Sequence, residues 1–218
     1  MSAVRGVGQK RREGEMSKRS GGGFLKFIGE FIAVVAVALV MAWLLTSYVV
    51  QPYEIPSGSM EDTIEIGDRV LSEKVTSHAS DPQQGDIVTF LAYEDPANGD
   101  IYTHESDADA TVQERLEEKV LIKRVIATAG QTVDIADGAV YVDGEQLVES
   151  YTDGAVTTEL EGSDIEFPYT VAEGELWVMG DNRTNSKDSR FFGGVPVQSV
   201  TGRAVFCYWP TDRIGLLE

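Results

Sequence analysis

Residues 31–50 read FIAVVAVALVMAWLLTSYVV, twenty positions that carry no charge and are nearly all apolar. At about 1.5 Å rise per residue, a helix of that length crosses the roughly 30 Å hydrocarbon core of a bilayer. A cleaved secretory signal has an apolar core of about 7–15 residues that ends at small side chains. The present run is longer and leads into Ser47-Tyr48-Val49-Val50-Gln51-Pro52 with no Ala-x-Ala, so the pattern predicts a retained anchor. Trp43 and Tyr48 near its end suit an interfacial aromatic belt. No second run of comparable length follows, which predicts a single span.

Past Gln51 the period shortens. Arg69-Val70-Leu71 and Asp86 to Phe90 each follow a Gly-containing turn, and Lys119 to Thr128 (KVLIKRVIAT) is rich in β-branched residues and long enough for a buried strand. In the segment TVDIADGAVYVDGEQLV, two Asp-Gly pairs at 137–138 and 143–144 separate alternating stretches, which predicts two successive tight hairpins. Leu176 to Met179 and Gly202 to Trp209 read as later strands. No long amphipathic helix follows the anchor. The expected fold class is therefore mainly β, an antiparallel domain with a small β insertion at 131–175, preceded by one transmembrane helix. Two stretches interrupt the pattern. Residues 91–118 hold nine acids and one base, Arg115, and read as a solvated insertion with one helical turn around Val112–Glu118; residues 149–168 are similarly acidic.

Charge divides the chain. The net charge is −18, yet residues 1–30 hold seven Lys/Arg against three acids, leaving eleven bases and thirty-three acids in 31–218. A body this acidic repels phosphates, which argues against nucleic-acid binding. A basic segment just before an apolar span predicts a cytoplasmic N-terminus and an outward-facing body. The resulting map is a flexible basic tail at 1–23, an anchor at 24–50 and an extracytoplasmic domain at 51–218. Cys207 is the only cysteine, so no internal disulfide forms, and its strand-like surroundings predict a small buried hydrophobe. His78 and His104 stand alone in polar loops, and no metal-ligand spacing occurs, so neither metal nor cofactor is expected.

Three segments carry candidate chemistry. In Ile55-Pro56-Ser57-Gly58-Ser59-Met60, a glycine between two serines permits a sharp turn that exposes a hydroxyl and aims a backbone N–H. Lys123 lies in an apolar strand, sharing its face with Leu121 and Val125, while Arg124 shares the other with Ile122 and Ile126. Desolvation lowers a buried lysine's pKa, and a neutral amine accepts a proton from a serine hydroxyl. The pattern equally allows one of the two bases to snorkel to the sheet edge. Residues 180–190, GDNRTNSKDSR, hold no apolar side chain and are either turn chemistry or a set of supports for a catalytic lysine.

Together these segments resemble the boxes of bacterial type I signal peptidases: IPSGSM at 55–60, GDRV at 67–70, GDIVTF at 85–90, KRVI at 123–126, GDNRTNSKDSR at 180–190, then Gly193-Gly194-Val195-Pro196 and Gly202-Arg203-Ala204. The resemblance implies a membrane-bound serine endopeptidase that removes signal peptides from secreted precursors after small residues of the Ala-x-Ala type. It implies Ser59 as nucleophile, Lys123 as general base, and the Ser57 hydroxyl with the Ser59 N–H as oxyanion hole. Ser186 would hydrogen-bond the Lys123 ammonium, Asp188 and Arg190 would pair beside the site, and Asp181 would belong to the same supporting set. Tyr53, Ile55, Met60, Ile64 and Ile122 would line shallow S1 and S3 pockets. The implied partners are signal peptides, the lipid bilayer and, by proximity, the secretion translocon.

The chain departs from the family pattern at Asp62, where proline is usual, and at Ala127-Thr128-Ala129-Gly130, where Gly-x-Pro-Gly is usual. Lysine at 123, where archaeal and endoplasmic-reticulum relatives carry histidine, points to the bacterial type. The single anchor and small insertion resemble the compact Gram-positive enzymes. The rival readings are a dedicated pilin or conjugation peptidase of the same fold, a self-cleaving Ser-Lys repressor, and an inactive membrane-tethered binding module.

Overall fold

The computed structural model describes residues 21–75 and 80–218; the sequence expectations for the tail at 1–20 and for His78 lie outside the described residues. Packing divides the chain into Met1–Ala42 and Trp43–Glu218. Helix α1 spans Gly21–Tyr48, and its stretch Lys26–Tyr48 is the one described helix long and apolar enough to cross a membrane. It begins inside the segment expected to be tail. It also ends two residues before the expected limit, because Val50 already pairs with Glu73 in a sheet.

The second unit is built on an antiparallel sheet of nine strands. Its main path runs β1 (Val50–Glu54), β2 (Arg69–Glu73), β12 (Val200–Trp209), β3 (Ile87–Asp95), β5 (Glu117–Thr128), β10 (Glu175–Met179) and β11 (Val195–Pro196). Strands β4 (Asp100–Tyr102) and β13 (Gly215–Leu216) add to β3 and β12. A second sheet of four strands orders β8 (Glu145–Gln146), β7 (Ala139–Val142), β6 (Thr132–Ala136) and β9 (Tyr169–Thr170). Both predicted hairpins form. Asp137, Gly138, Asp143 and Gly144 all have positive φ, as the tight turns between twisted strands require. The small sheet buries Val133, Val140 and Val142 against Ile126 and Trp177 of the large one, so the insertion shares a core with the main body.

The acidic stretch 91–118 is the expected solvated insertion only in part: residues 96–98, 105–107 and 113–115 are exposed, but both ends are strand. Strand β3 continues through it to Asp95 and β5 begins at Glu117, with Glu94 paired to Glu117 and Phe90 to Leu121. At the far end Asp95 is fully buried and takes a bidentate grip from Arg115, at 2.7 and 2.6 Å. The expected helical turn forms slightly earlier, as α2 (Ala110–Gln113), because Asp109 caps it by accepting from the Thr111 and Val112 amides. Another short helix, α3 (Ser189–Phe192), is capped by Asp188, which accepts from the Arg190 amide.

Candidate active site

The connection from β1 to β2 carries the nucleophile candidate. Ile55 N donates to Asp68 O and Gly67 N to Ile55 O, which closes the base of the loop. Above it, Thr63 and Ile64 donate to Met60 O, forming one turn behind Ser59. Asp62 sits in that turn at φ 79°. Proline is locked near −65°, so it would not fit the backbone at this position, and the departure from the family pattern belongs to a locally different turn.

Lys123 arrives from β5, paired across to Val88 on β3. Its Nζ lies 2.7 Å from Ser59 Oγ and 2.9 Å from Ile122 O. The lysine is 3% exposed and Arg124 is 2% exposed, so neither base snorkels to the edge and the strand is buried on both faces from Ile122 to Ala127. Burial pulls the Lys123 ammonium down from the usual 10.5 to about 8, while the negative charges of Asp188 and Asp181 push it back up. An amine that is neutral in part near pH 8, and in contact with a hydroxyl, is equipped to take that hydroxyl's proton.

The loop after β10 wraps this pair. A Cβ at Gly180 would stand 2.3 Å from Ser59 O and 2.3 Å from Ser186 Oγ, so only glycine permits the approach. Asn182 donates from its backbone to Ser59 O at 3.2 Å and from its side chain to Gly58 O at 3.0 Å. Asp181 accepts from Arg124 Nε and Nη2 at 2.9 and 2.7 Å, and from Thr63 Oγ1 at 2.6 Å. Asp188 pairs with Arg190 through two contacts of 2.9 Å, both residues fully or almost fully buried, and also accepts from Gly180 N.

One expected contact is absent. Ser186 Oγ is buried without a hydrogen-bond partner and does not bond Lys123, whose amine is turned instead to Ser59 Oγ and Ile122 O. Ser57 is exposed, and among the described residues neither its hydroxyl nor the Ser59 N–H has an acceptor. Tyr53, Ile55, Met60, Ile64 and Ile122 all fall in one apolar group beside the pair; Met60 and Ile64 are fully enclosed and Cys207 completes the same group. His104 is part-exposed, 3.5 Å from Glu175 and outside this site. No group of three or more His, Cys, Asp or Glu side chains placed to hold a metal occurs among the described residues.

Sequence reasoning missed several supports. Arg124 was one of two alternatives on a strand, and Asn182, Arg183 and Gly180 lay in a motif without assigned tasks. The second acidic stretch was read as solvent-facing. In the structure Glu149 takes a bidentate contact from Arg183. The Tyr151 ring lies 4.0 Å under the Arg124 guanidinium. The available signal was the pairing problem itself, since buried arginines need acids.

The family model described as "Signal peptidase, peptidase S26" matches residues 28–209. A probable signal peptidase I-1 of Synechocystis is 41% identical over 193 residues, covering 88% of each chain. A signal peptidase I of Mycobacterium tuberculosis is 36% identical over 87% of this chain and 75% of its own. A crystal structure of a signal peptidase I from Enterococcus faecalis, 30% identical, gives a TM-score of 0.39 over 57% of this chain and 97% of that one. On the extent of the family match and the identity to the Synechocystis and Mycobacterium enzymes, the chain belongs to the peptidase S26 family of signal peptidases.

Proposed function

We propose that the chain is a membrane-anchored signal peptidase I whose Ser59–Lys123 dyad cleaves signal peptides from secreted precursors. The observation that carries the reading is the 2.7 Å contact between Ser59 Oγ and a buried Lys123 whose pKa is drawn down to about 8. Neutral Lys123 takes the Ser59 proton as Oγ attacks the scissile carbonyl. The oxyanion is held by the Ser59 N–H and the Ser57 hydroxyl, donors typically worth about 3–4 kcal/mol each. The Lys123 ammonium then protonates the leaving amine, and the C–N bond breaks to give an acyl-enzyme. Lys123 next takes a proton from the water that attacks the ester, and returns it to Ser59 Oγ as the ester C–O bond breaks, which restores the free hydroxyl and the neutral amine.

The substrate lies as an extended strand between two free edges. Strand β1 pairs only with β2, and β5 carries β10 only from Arg124 onward, leaving its edge at Glu117–Ile122 open among the described residues. Backbone pairing supplies affinity, and a wall of Tyr53, Ile55 and Ile122, backed by the enclosed Met60 and Ile64, admits only small side chains, which fits cleavage after Ala-x-Ala. The basic segment before the helix keeps the N-terminus cytoplasmic, so the domain from residue 51 works outside, beside the translocon from which precursors emerge. The β insertion at 131–175 belongs to that domain. The presence of both Ser59 and Lys123, in contact, favours this reading over an inactive binding module, and lysine at 123 supports an enzyme of the bacterial type.

Purified full-length protein in detergent, given a precursor with an Ala-x-Ala site, should cleave it after the second alanine. Ser59→Ala and Lys123→Met should each abolish cleavage with the fold retained. Near-full activity in Lys123→Met would refute the dyad.

A further inference from the structure

The segment from Glu149 to Thr158 does not behave as a surface loop. It reaches three arginines, Arg124, Arg183 and Arg190, each no more than 2% exposed. Glu149 takes both terminal nitrogens of Arg183, and Thr157 Oγ1 accepts from the same group at 2.9 Å. Thr158 O accepts from Arg190 at 3.0 Å. Tyr151 sits in the middle: its ring is stacked at 4.0 Å by Arg124 and faced at 5.9 Å by Arg183, and its hydroxyl donates to Glu149 at 3.0 Å.

What those arginines do on their other side gives the segment its significance. Arg124 holds Asp181, Arg190 holds Asp188, and Arg183 donates to Gly180 O at 3.0 Å. Gly180 in turn abuts Ser59 O. Asp181, Asp188 and Gly180 are therefore each reached, through one arginine, by the same strap. A guanidinium over an aromatic face is held more strongly in a desolvated setting than at the surface, and a buried arginine stripped of its acid is destabilised further.

We infer that Glu149–Thr158 is a positioning strap for the catalytic loop, with Tyr151 as the wedge that sets Arg124 and Arg183 and through them Asp181 and Gly180. The inference rests on the Ser59–Lys123 reading. Tyr151 touches neither substrate nor the reacting atoms. It acts through the arginines on the geometry of Ser59 and on the burial of Lys123.

The test uses the full-length protein in detergent with Tyr151→Phe, Tyr151→Ala, Glu149→Gln and Ser59→Ala, each checked by circular dichroism and thermal melting. Tyr151→Phe keeps the ring over Arg124 and should stay within about threefold of the parent kcat. Tyr151→Ala and Glu149→Gln should lose about tenfold or more in kcat with KM within about threefold. Their pH–rate curve should rise at higher pH than the parent's, because water let in behind the loop restores solvation to the Lys123 ammonium. If Tyr151→Ala does not fold, the isosteric Glu149→Gln alone decides. Folded variants with parental kcat and an unmoved pH curve would overturn the strap while Ser59→Ala remains inactive. An active Ser59→Ala would instead overturn the dyad reading itself.

Discussion

Replacing Lys123 with methionine should remove activity and raise stability, and the gain should fade with pH in a defined window. In the unfolded chain the amine titrates near 10.5, and in the fold near 8. Each pH unit of displacement corresponds to about 1.4 kcal/mol, so holding the charge inside the fold costs about 3 kcal/mol at pH 7. The sign follows from proton counts. Between pH 8 and 10.5 the unfolded state binds more protons than the folded one, so the parent gains stability as pH rises through that window; below pH 8 the penalty is present in full. Methionine is of similar length and carries no charge. It forfeits the contacts to Ser59 Oγ and Ile122 O, about 1 kcal/mol, and repacking takes back up to about 1 more. The variant should therefore be about 1–2 kcal/mol more stable than the parent at pH 7. The difference should shrink above pH 8 and reverse by about pH 10. Urea unfolding of the full chain in detergent, followed by the fluorescence of the buried Trp177 at pH 7, 8, 9 and 10, measures it directly. A variant less stable than the parent at pH 7, or a difference flat across the series, would refute the claim that Lys123 is held against its own charge.

Three further outcomes follow from the same geometry. The parent's kcat/KM should rise about tenfold per pH unit below 8 and level off above it, since the reactive form is the neutral amine; a stopped peptide assay across pH 6–10 reads this, and a limb centred below 7 would contradict it. Asp188→Asn leaves the buried Arg190 without its counter-charge and should cost about 3–5 kcal/mol of stability by urea unfolding. Gly180→Ala drives a methyl group into Ser59 O and should lower kcat about tenfold or more, with circular dichroism unchanged.

What was readable in the chain was what is local. The apolar run, the two Asp-Gly turns and the β-branched strand each declare themselves within about a dozen residues, and all three form. The stretch 91–118 hid its strands because the β3–β5 ribbon runs out past the main core. Side chains such as Glu94, Glu117 and Lys119 there face water in part, and alternation is replaced by charge. The dyad is different again. Ser59 and Lys123 are 64 residues apart and meet only because β5 pairs with β3, β3 with β12, β12 with β2 and β2 with β1. No window of sequence contains that path, so the pair was visible through family resemblance and through the chemistry of a lysine among aliphatics. The orientation of Ser186, buried without a partner, was not visible at all.

The misreading of 149–168 exposes the electrostatic logic of the molecule. Its body holds only eleven bases against thirty-three acids. Four bases are buried among the described residues, namely Lys123, Arg124, Arg183 and Arg190, and all four stand at or directly behind the dyad. In a chain so rich in acids, an acidic segment looks like solvated surface by default. Arginine cannot shed its charge, however, so three arginines withdrawn from water must each be met by an acid or by several carbonyls. Asp181, Asp188 and Glu149 meet them, and one of the three comes from the insertion. Lysine can shed its charge, and Lys123 alone among the four has no carboxylate in contact: its partners are a hydroxyl and a carbonyl. On the proposed mechanism, that asymmetry separates the base from its supports. The guanidinium groups stay charged and fix the loop, while the one amine left without a counter-ion becomes free to take a proton.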